Sequence, residues 1–431
     1  MNVSVVGLGK IGLPLAVQYA LKGQEVFGID INSSVVSQVN KGIEPFPGEA
    51  HLDTLLPQVV ESGLLTATDD YAEAIPQSDV VVVVVPLFVD SEAKPDFGWM
   101  DSATESIGEH LTAGTIVIYE TTLPVGTTRN RWAPMLEKTS GLIEGKDFDV
   151  VFSPERVLTG RVFADLKKYP KLVGGLSDAG RDKAIAFYEQ VLDFDDRGGL
   201  PRPNGVWPLD SAEAAEFVKL AETTYRDVNI GLANQFARFA DTIGVNVYDI
   251  IQAANSQPYS HIHRPGVAVG GHCIPVYPRL YLWNDPEATV VEAARKANLE
   301  MPSYTVQLLE KAVDSLSGLT VLLLGVSYRG GVKETAFSGA FDVAKELVTR
   351  GARVVASDPM YSDDELSALG FTPLTNNDSV DAIIVQADHP EFLDFSANDF
   401  PALRAIIDGR GFVSSEKWGG KLQVLGKASI S

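Results

Sequence analysis

The opening residues, "NVSVVGLGKIG", limit what this chain can fold into more than any other stretch. A β-branched run leads into Gly7, Gly9 and Gly12 in G-x-G-x-x-G spacing, and an apolar helical pattern follows from about Ile11 to Lys22. A strand that feeds a helix through this spacing predicts a parallel strand–helix–strand unit. One glycine permits the tight turn, one the approach of a pyrophosphate, and one the close packing of helix on strand. The helix N-terminus then supplies amide donors to the phosphates. The second strand, "EVFGID", ends in Asp30, 18 residues past Gly12. A carboxylate there accepts ribose hydroxyls and repels a 2'-phosphate, which predicts NAD rather than NADP.

The same grammar continues. The run Val80–Val85 is far too short to cross a bilayer, ends at Pro86 and reads as a buried parallel strand. "TIVIYETT" and "FDVVFSPE" follow as further apolar strands, so a doubly wound parallel sheet is expected, with ligands beyond its carboxyl edge. After the Gly/Pro-rich "DRGGLPRPNGVWPLD", the stretch from Ser211 to about Ile243 has no proline and one glycine, Gly231, and predicts one long helix linking domains or subunits. Helices are also expected in "VYDIIQAANS" and from about Met301 to Ser317. "LTVLLLGVSY", "ARVVASDP", "SVDAIIVQAD" and "LRAIIDGRG" then repeat the strand pattern around a helix in "FSGAFDVAKELVTRG". The expected architecture is α/β: an N-terminal Rossmann-like NAD domain (1–200), a helical central and dimerisation domain containing the long helix (208–300), and a C-terminal Rossmann-like domain (315–431).

A net charge of -22 argues against a nucleic-acid partner, because phosphates would be repelled. The single cysteine excludes an intramolecular disulfide and fits a reducing compartment. The first residues lack the basic region and cleavage site of a signal peptide. A cytoplasmic protein without membrane association is expected, and no metal is called for.

That cysteine, Cys273, lies in "RPGVAVGGHCIPVYP". A thiol nucleophile needs access and a stabilised thiolate. Gly270 and Gly271 offer the access; a cation must come from elsewhere, and Lys219 is the candidate. Lys219, Thr223 and Arg226 fall at i, i+4 and i+7 of the long helix and share one stripe. Glu155 follows Pro154 directly after a strand, and Thr121 and Thr122 hold the equivalent place after an earlier one. Taken singly, an inert cysteine, a solvated lysine and capping or solvated strand-end residues are equally compatible with these positions.

Together and in this order, "GLGKIGLPLA", "TTLPVGTT", "SPERVL", "GGHCIPV" and "DGRG" resemble the nucleotide-sugar 6-dehydrogenases over nearly the whole chain. The resemblance implies oxidation of a UDP-sugar C6 alcohol to the acid with two NAD, by way of a cysteine thiohemiacetal and thioester. It implies Cys273 as nucleophile, Lys219 as oxyanion stabiliser or proton shuttle, Glu155 as acid/base of thioester hydrolysis, and Thr122 as a residue placing water and nicotinamide. Gly7, Gly9, Lys10, Ile11, Gly12, Asp30, Pro86, Thr121 and Thr122 would hold NAD. Glu155, Arg156, Val157, Leu158, Thr159, Arg161, Lys219, Thr223, Arg264, Gly266, Gly270 and Arg329 would meet the UDP-sugar, with the last domain binding UDP. A homodimer or multiple of dimers is implied. "GGHCIPV" and Arg161 point to the N-acetylhexosamine branch (UDP-N-acetylmannosamine or UDP-N-acetylglucosamine) over UDP-glucose. Four positions depart from the commoner pattern: Thr159 for a glutamate, Thr223 for an asparagine, Tyr277 for an aspartate and Ala336 for an arginine. Two other classes stay open on the residues: a two-electron β-hydroxyacid dehydrogenase, and a nucleotide-sugar binding relative without turnover.

Overall fold

The computed structural model describes residues 1–90 and 92–427. It comprises two compact units, Met1–Ala221 and Glu222–Ser431. Among the described residues no helix is long and apolar enough to cross a membrane.

Unit 1 is built on an eight-stranded sheet: β1 (Asn2–Val6), β2 (Glu25–Ile29), β3 (Leu65–Thr68), β4 (Val80–Val83), β5 (Ile116–Tyr119), β6 (Asp149–Phe152), β7 (Lys171–Gly175) and β8 (Val206–Pro208). Their spatial order is β8-β7-β6-β5-β4-β1-β2-β3. The reversal of order beside β1 is the crevice where ligands of doubly wound folds bind. β4, β5 and β6 are buried at every position, as strands covered on both faces must be. Helix α1 (Gly12–Leu21) is buried from Gly12 to Ala20, with Leu13, Leu15, Val17 and Tyr19 in the main core.

The sheet is not parallel throughout, as the sequence led us to expect. β7 runs antiparallel to β6, with Val151 opposite Gly175 and Phe152 opposite Gly174, and β8 runs parallel to β7. The short connection between β6 and β7 carries only the small helix α2 (Val162–Lys168) before the chain turns back. Helix α3 (Asp178–Val191) then covers the sheet.

The long helix is α4 (Ala212–Ile243), close to its expected span. In unit 2, α5 (Val247–Ala254), α6 (Tyr277–Asn284), α7 (Thr289–Leu299) and α8 (Met301–Val313) precede a five-stranded parallel sheet. α8 ends four residues before the expected Ser317, because Asp314 takes a positive φ of 66° that stops the helix. The sheet contains β9 (Thr320–Leu324), β10 (Arg353–Ser357), β11 (Ala382–Val385), β12 (Ala405–Asp408) and β13 (Leu422–Val424), in the order β10-β9-β11-β12-β13. Helix α9 (Gly339–Thr349) packs on one face through Ala340, Val343 and Leu347.

Candidate functional site

In unit 1 the three glycines of the opening turn have three separate reasons. Gly7 has φ +95°, and its N–H donates to Ile29 O at 2.8 Å. A Cβ on Gly12 would lie 1.8 Å from Gly7 O, so only glycine lets α1 start there. A Cβ on Gly9 would meet nothing within 4 Å. The chain does not need glycine at that point for its own packing, and a ligand's approach does. Lys10 is exposed and Ile11 half-buried. Asp30 sits just past β2: its Oδ2 accepts from Leu8 N and its Oδ1 from Asn32 N, both at 2.9 Å. The carboxylate thereby stands at the glycine turn. These residues fit a dinucleotide.

The loop after β5 is fixed at both ends. Thr121 Oγ1 donates to Val85 O at 2.6 Å, just before the exposed Pro86, and Thr122 is buried. Farther along, Glu216 of α4 accepts from Gly126 N (2.5 Å), Thr128 N (2.9 Å) and Thr128 Oγ1 (2.6 Å). Glu216 lies one helical turn before Lys219, so it ties the threonine loop to the helix that carries the lysine. Lys219 and Thr223 are both buried, whereas Arg226, on the same stripe, is exposed.

Glu155 is not a solvated strand-end carboxylate. Its Oε2 accepts from Lys171 Nζ at 2.8 Å and its Oε1 from Arg156 N at 2.6 Å. Lys171 is 4% exposed and also meets Glu120 Oε1 at 3.0 Å. Tyr188 OH donates to that same Glu120 oxygen at 2.5 Å. Burial opposes ionisation of Glu155, but the charge and hydrogen bond of Lys171, the Arg156 amide and the charge of Lys219 outweigh it and hold the carboxyl below its ordinary range. Glu120 goes the other way: burial raises it to about 7 in spite of Lys171, with the Glu155 charge adding to the rise. Neither Glu120 nor Lys171 stands out in the sequence.

Beyond Glu155 the loop is held by acids. Glu49, also missed by sequence reasoning, accepts from Gly160 N and Val162 N, both at 2.6 Å. Arg161 is exposed, and its guanidinium is engaged by Asp165 at 2.7 Å. Arg156 reaches Pro170 O at 3.3 Å, Val157 packs on the core, and Leu158 is exposed. The exposed Thr159 shares a hollow with Gly9, Lys10, Phe46 and Glu49, which puts it beside the dinucleotide turn.

In unit 2, Cys273 is exposed and free. Its carbonyl accepts from Val276 N and Tyr277 N at 3.2 and 2.9 Å, so the thiol is carried on the turn that opens α6. The glycines before it also have a packing reason, beside the expected ligand access. A Cβ on Gly270 would lie 2.5 Å from Tyr328 Cβ, and one on Gly271 (φ +90°) would lie 3.2 Å from the Tyr328 ring. Gly271 N also donates to Ala336 O at 2.8 Å. The glycines thus let the cysteine loop dock on the loop that follows β9. That loop carries Arg329, which is exposed, and Glu334, whose Oε2 is 3.3 Å from His272 Nε2. Gly266 N donates to Asn234 Oδ1 at 2.9 Å, and Arg264 lies exposed 6.0 Å from the Tyr248 ring centre. Arg410 of "DGRG" is committed to main chain, donating to Gln386 O (2.6 Å) and Tyr328 O (2.8 Å).

Family models for the UDP-glucose/GDP-mannose dehydrogenase family match in three parts: the NAD binding domain at residues 1–192, the central domain at 213–300 and the UDP binding domain at 322–415. This chain belongs to the UDP-glucose/GDP-mannose dehydrogenase family. As a member it is an NAD-dependent oxidoreductase acting on UDP-sugars, and the glycine turn with Asp30 lies in the family's NAD binding domain. The chain is 35% identical to a UDP-N-acetyl-D-mannosamine dehydrogenase of Pyrococcus horikoshii, with all of both chains covered. It is 31% identical to an NDP-N-acetyl-D-galactosaminuronic acid dehydrogenase of Ralstonia nicotianae, covering 96% of this chain and 97% of the relative. Among solved structures, that of a UDP-D-ManNAc dehydrogenase from Pyrococcus horikoshii superposes with a TM-score of 0.88 at 33% identity over the full length of both.

Proposed function

We propose that this protein oxidises the C6 alcohol of UDP-N-acetylmannosamine to the uronic acid, with UDP-N-acetylglucosamine the next candidate, through an acyl-enzyme on Cys273. The observation that carries the reading is the held, ionised Glu155 in a chain whose one thiol is exposed on a docked loop. The similarity to UDP-N-acetyl-D-mannosamine dehydrogenases supports the choice of sugar.

NAD, when bound, supplies the acceptor for the hydride that leaves C6 at each of the two oxidations. The Cys273 thiolate adds to the intermediate aldehyde, and Lys219 balances the charge on the resulting oxygen. For release, Glu155 takes a proton from the water whose oxygen adds to the acyl carbon. The tetrahedral oxyanion collapses, the C–S bond breaks and its electron pair leaves on sulfur. Glu155 then returns its proton to sulfur, and the product acid loses its own to solvent. Thr122 places the water and the nicotinamide; Gly7, Gly9, Lys10, Ile11, Gly12, Asp30, Pro86 and Thr121 hold NAD. Arg156, Val157, Leu158, Thr159, Arg161, Thr223, Arg264, Gly266, Gly270 and Arg329 meet the UDP-sugar. The segments 1–200, 208–300 and 315–431 serve as the NAD, central and UDP-sugar portions.

We further infer a dimer or multiple of dimers, because α4 leaves Phe217, Leu232 and Phe239 exposed along its length. A cytoplasmic location fits a protein with one free thiol and an NAD-linked reaction. The test is NADH release on a panel of UDP-sugars with the product mass determined. Two NADH per uronic acid are expected, and Cys273→Ala should bind both ligands yet lose acid formation by about three orders of magnitude or more. One NADH per sugar, or unimpaired acid formation by Cys273→Ala, would refute the covalent route.

A further inference from the structure

Glu120, Lys171 and Glu155 form a buried cluster of two carboxylates around one ammonium. Its assembly depends on the one strand pair that breaks the parallel pattern. In β6 and β7 the paired residues are Val151 with Gly175 and Phe152 with Gly174. Continued three residues past Phe152, that register sets Glu155 across from Lys171, the first residue of β7. A parallel β7 would put its first residue at the opposite edge of the sheet. Glu120 follows β5 directly, and its carbonyl accepts from Glu155 N at 3.3 Å. The antiparallel strand therefore delivers a lysine to the carboxyl edge between two acids that end neighbouring parallel strands.

The remaining surroundings are also defined. Tyr188 on α3 donates to Glu120 Oε1 at 2.5 Å, Tyr19 on α1 approaches the same oxygen at 3.5 Å, and the Lys171 ammonium lies 4.7 Å from the centre of the Tyr188 ring. Glu120 Oε2 finds no hydrogen-bond partner among the described residues. On the other side, Glu155 meets the Arg156 amide and feels the charge of Lys219 on α4. With all three groups ionised the cluster carries one net negative charge, with Glu120 and Lys171 closed off from water and Glu155 nearly so, and burial makes that state costly. A single proton relieves it. Glu120 has the unpartnered oxygen, the phenol donors and the raised affinity for a proton, so the proton resides there. Lys171 is left to Glu155.

The geometry points to Lys171 as the positioning residue of Glu155: it fixes the carboxylate's orientation and keeps Glu155 the ionised member of the cluster, with Glu120 as its buried counter-acid. This rests on the reading of Glu155 as the base of thioester hydrolysis. Glu155 must begin that step without a proton, and a buried carboxylate beside a second one would otherwise hold one.

The experiment follows decay of the Cys273 acyl-enzyme, formed from UDP-N-acetylmannosamine and NAD, by acid quench and intact-protein mass spectrometry across about pH 4 to 9. Lys171→Met removes the cation, so the acid limb of the decay rate should move up by about one pH unit or more. Glu120→Gln keeps the neutral partner that the resident proton already makes of Glu120, so it should leave the limb in place. Lys171→Arg should restore the unaltered profile in large part, while affinity for the UDP-sugar stays within about threefold in all three. A role confined to stability lowers expression or melting temperature but does not move the limb in Lys171→Met and return it in Lys171→Arg. If Lys171→Met does not fold, Lys171→Gln, which removes the charge and keeps a polar group, decides by the same upward shift. An unmoved limb in a folded Lys171→Met or Lys171→Gln, or a limb displaced by Glu120→Gln, with Glu155→Gln blocking decay, would overturn the proposal alone; normal decay in Glu155→Gln would overturn the reading beneath it.

Discussion

Glu216→Gln isolates a titration that the fold forces on a buried carboxyl. Glu216 is fully buried, and burial raises it from 4.5 to about 7, although Thr128 Oγ1, Thr128 N and Gly126 N all donate to it and pull the other way. Because the folded value lies above the unfolded one, its stabilising contribution is complete below about pH 4.5 and is lost as pH rises through about 7. Between pH 5 and pH 8 that loss comes to about 2.5 kcal/mol. Glutamine keeps the volume and one acceptor for Thr128, does not titrate, and turns an amide nitrogen toward Gly126 N, which costs about 1–3 kcal/mol. The variant should therefore be the weaker protein at pH 5 and the equal or better one at pH 8. In apparent melting temperature the gap should swing by about 5–10 °C, given about 2–4 °C per kcal/mol for units of this size. Thermal unfolding of both proteins at the two pH values measures it. A gap of the same size and sign at pH 5 and pH 8 would mean that the Glu216 carboxyl does not titrate in this range, and the reasoning would fail. At pH 8 the variant should also lose turnover, since it releases one of the three ties between the threonine loop and α4.

Other outcomes follow from single atoms. Gly12→Ala puts a Cβ 1.8 Å from Gly7 O, so NAD affinity by calorimetry should fall about tenfold or more, and unchanged affinity would contradict the packing role. Asp30→Ala should narrow the preference for NAD over NADP; equal use of both cofactors by the unaltered protein would remove the basis for that role. Tyr277→Asp restores the commoner family residue beside the nucleophile and should lower the amount of acyl-enzyme seen by intact-mass analysis during turnover. An acyl-enzyme level that is the same in both proteins would exclude Tyr277 as a brake on hydrolysis. Light scattering should give a dimer or a multiple of one, and an active monomer would exclude the exposed face of α4 as an interface.

What could be read in the sequence was local. The glycine turn, Asp30 and the run of strands each announce themselves within about twenty residues through spacing and β-branched content. The long helix was legible for the same reason: 32 residues without proline leave few alternatives. The close of α8 was not, because Asp314 stops the helix by taking a positive φ that its residue type does not demand.

The cysteine loop and the carboxylate cluster show where local reasoning gives out. Gly270 and Gly271 read as an opening for a ligand; Tyr328, more than fifty residues later, gives them a packing reason as well, since its side chain fills the space a Cβ would need. Nothing in "GGHC" says which of the two is being accommodated. The cluster goes further, since it is a consequence of strand direction. "KLVGG" reads equally well as a parallel or an antiparallel strand, and the choice decides whether Lys171 meets Glu155 or lies at the far edge of the sheet. Glu155 at the end of "FSPE" then has two possible characters: a buried acid that keeps its proton, or a carboxylate ready to take one from water. The first follows from burial alone, the second from burial plus an opposing charge. The chain obtains the second by reversing one strand, so the chemistry available to Glu155 is set by the direction of β7, a property of the sheet that no residue near Glu155 records.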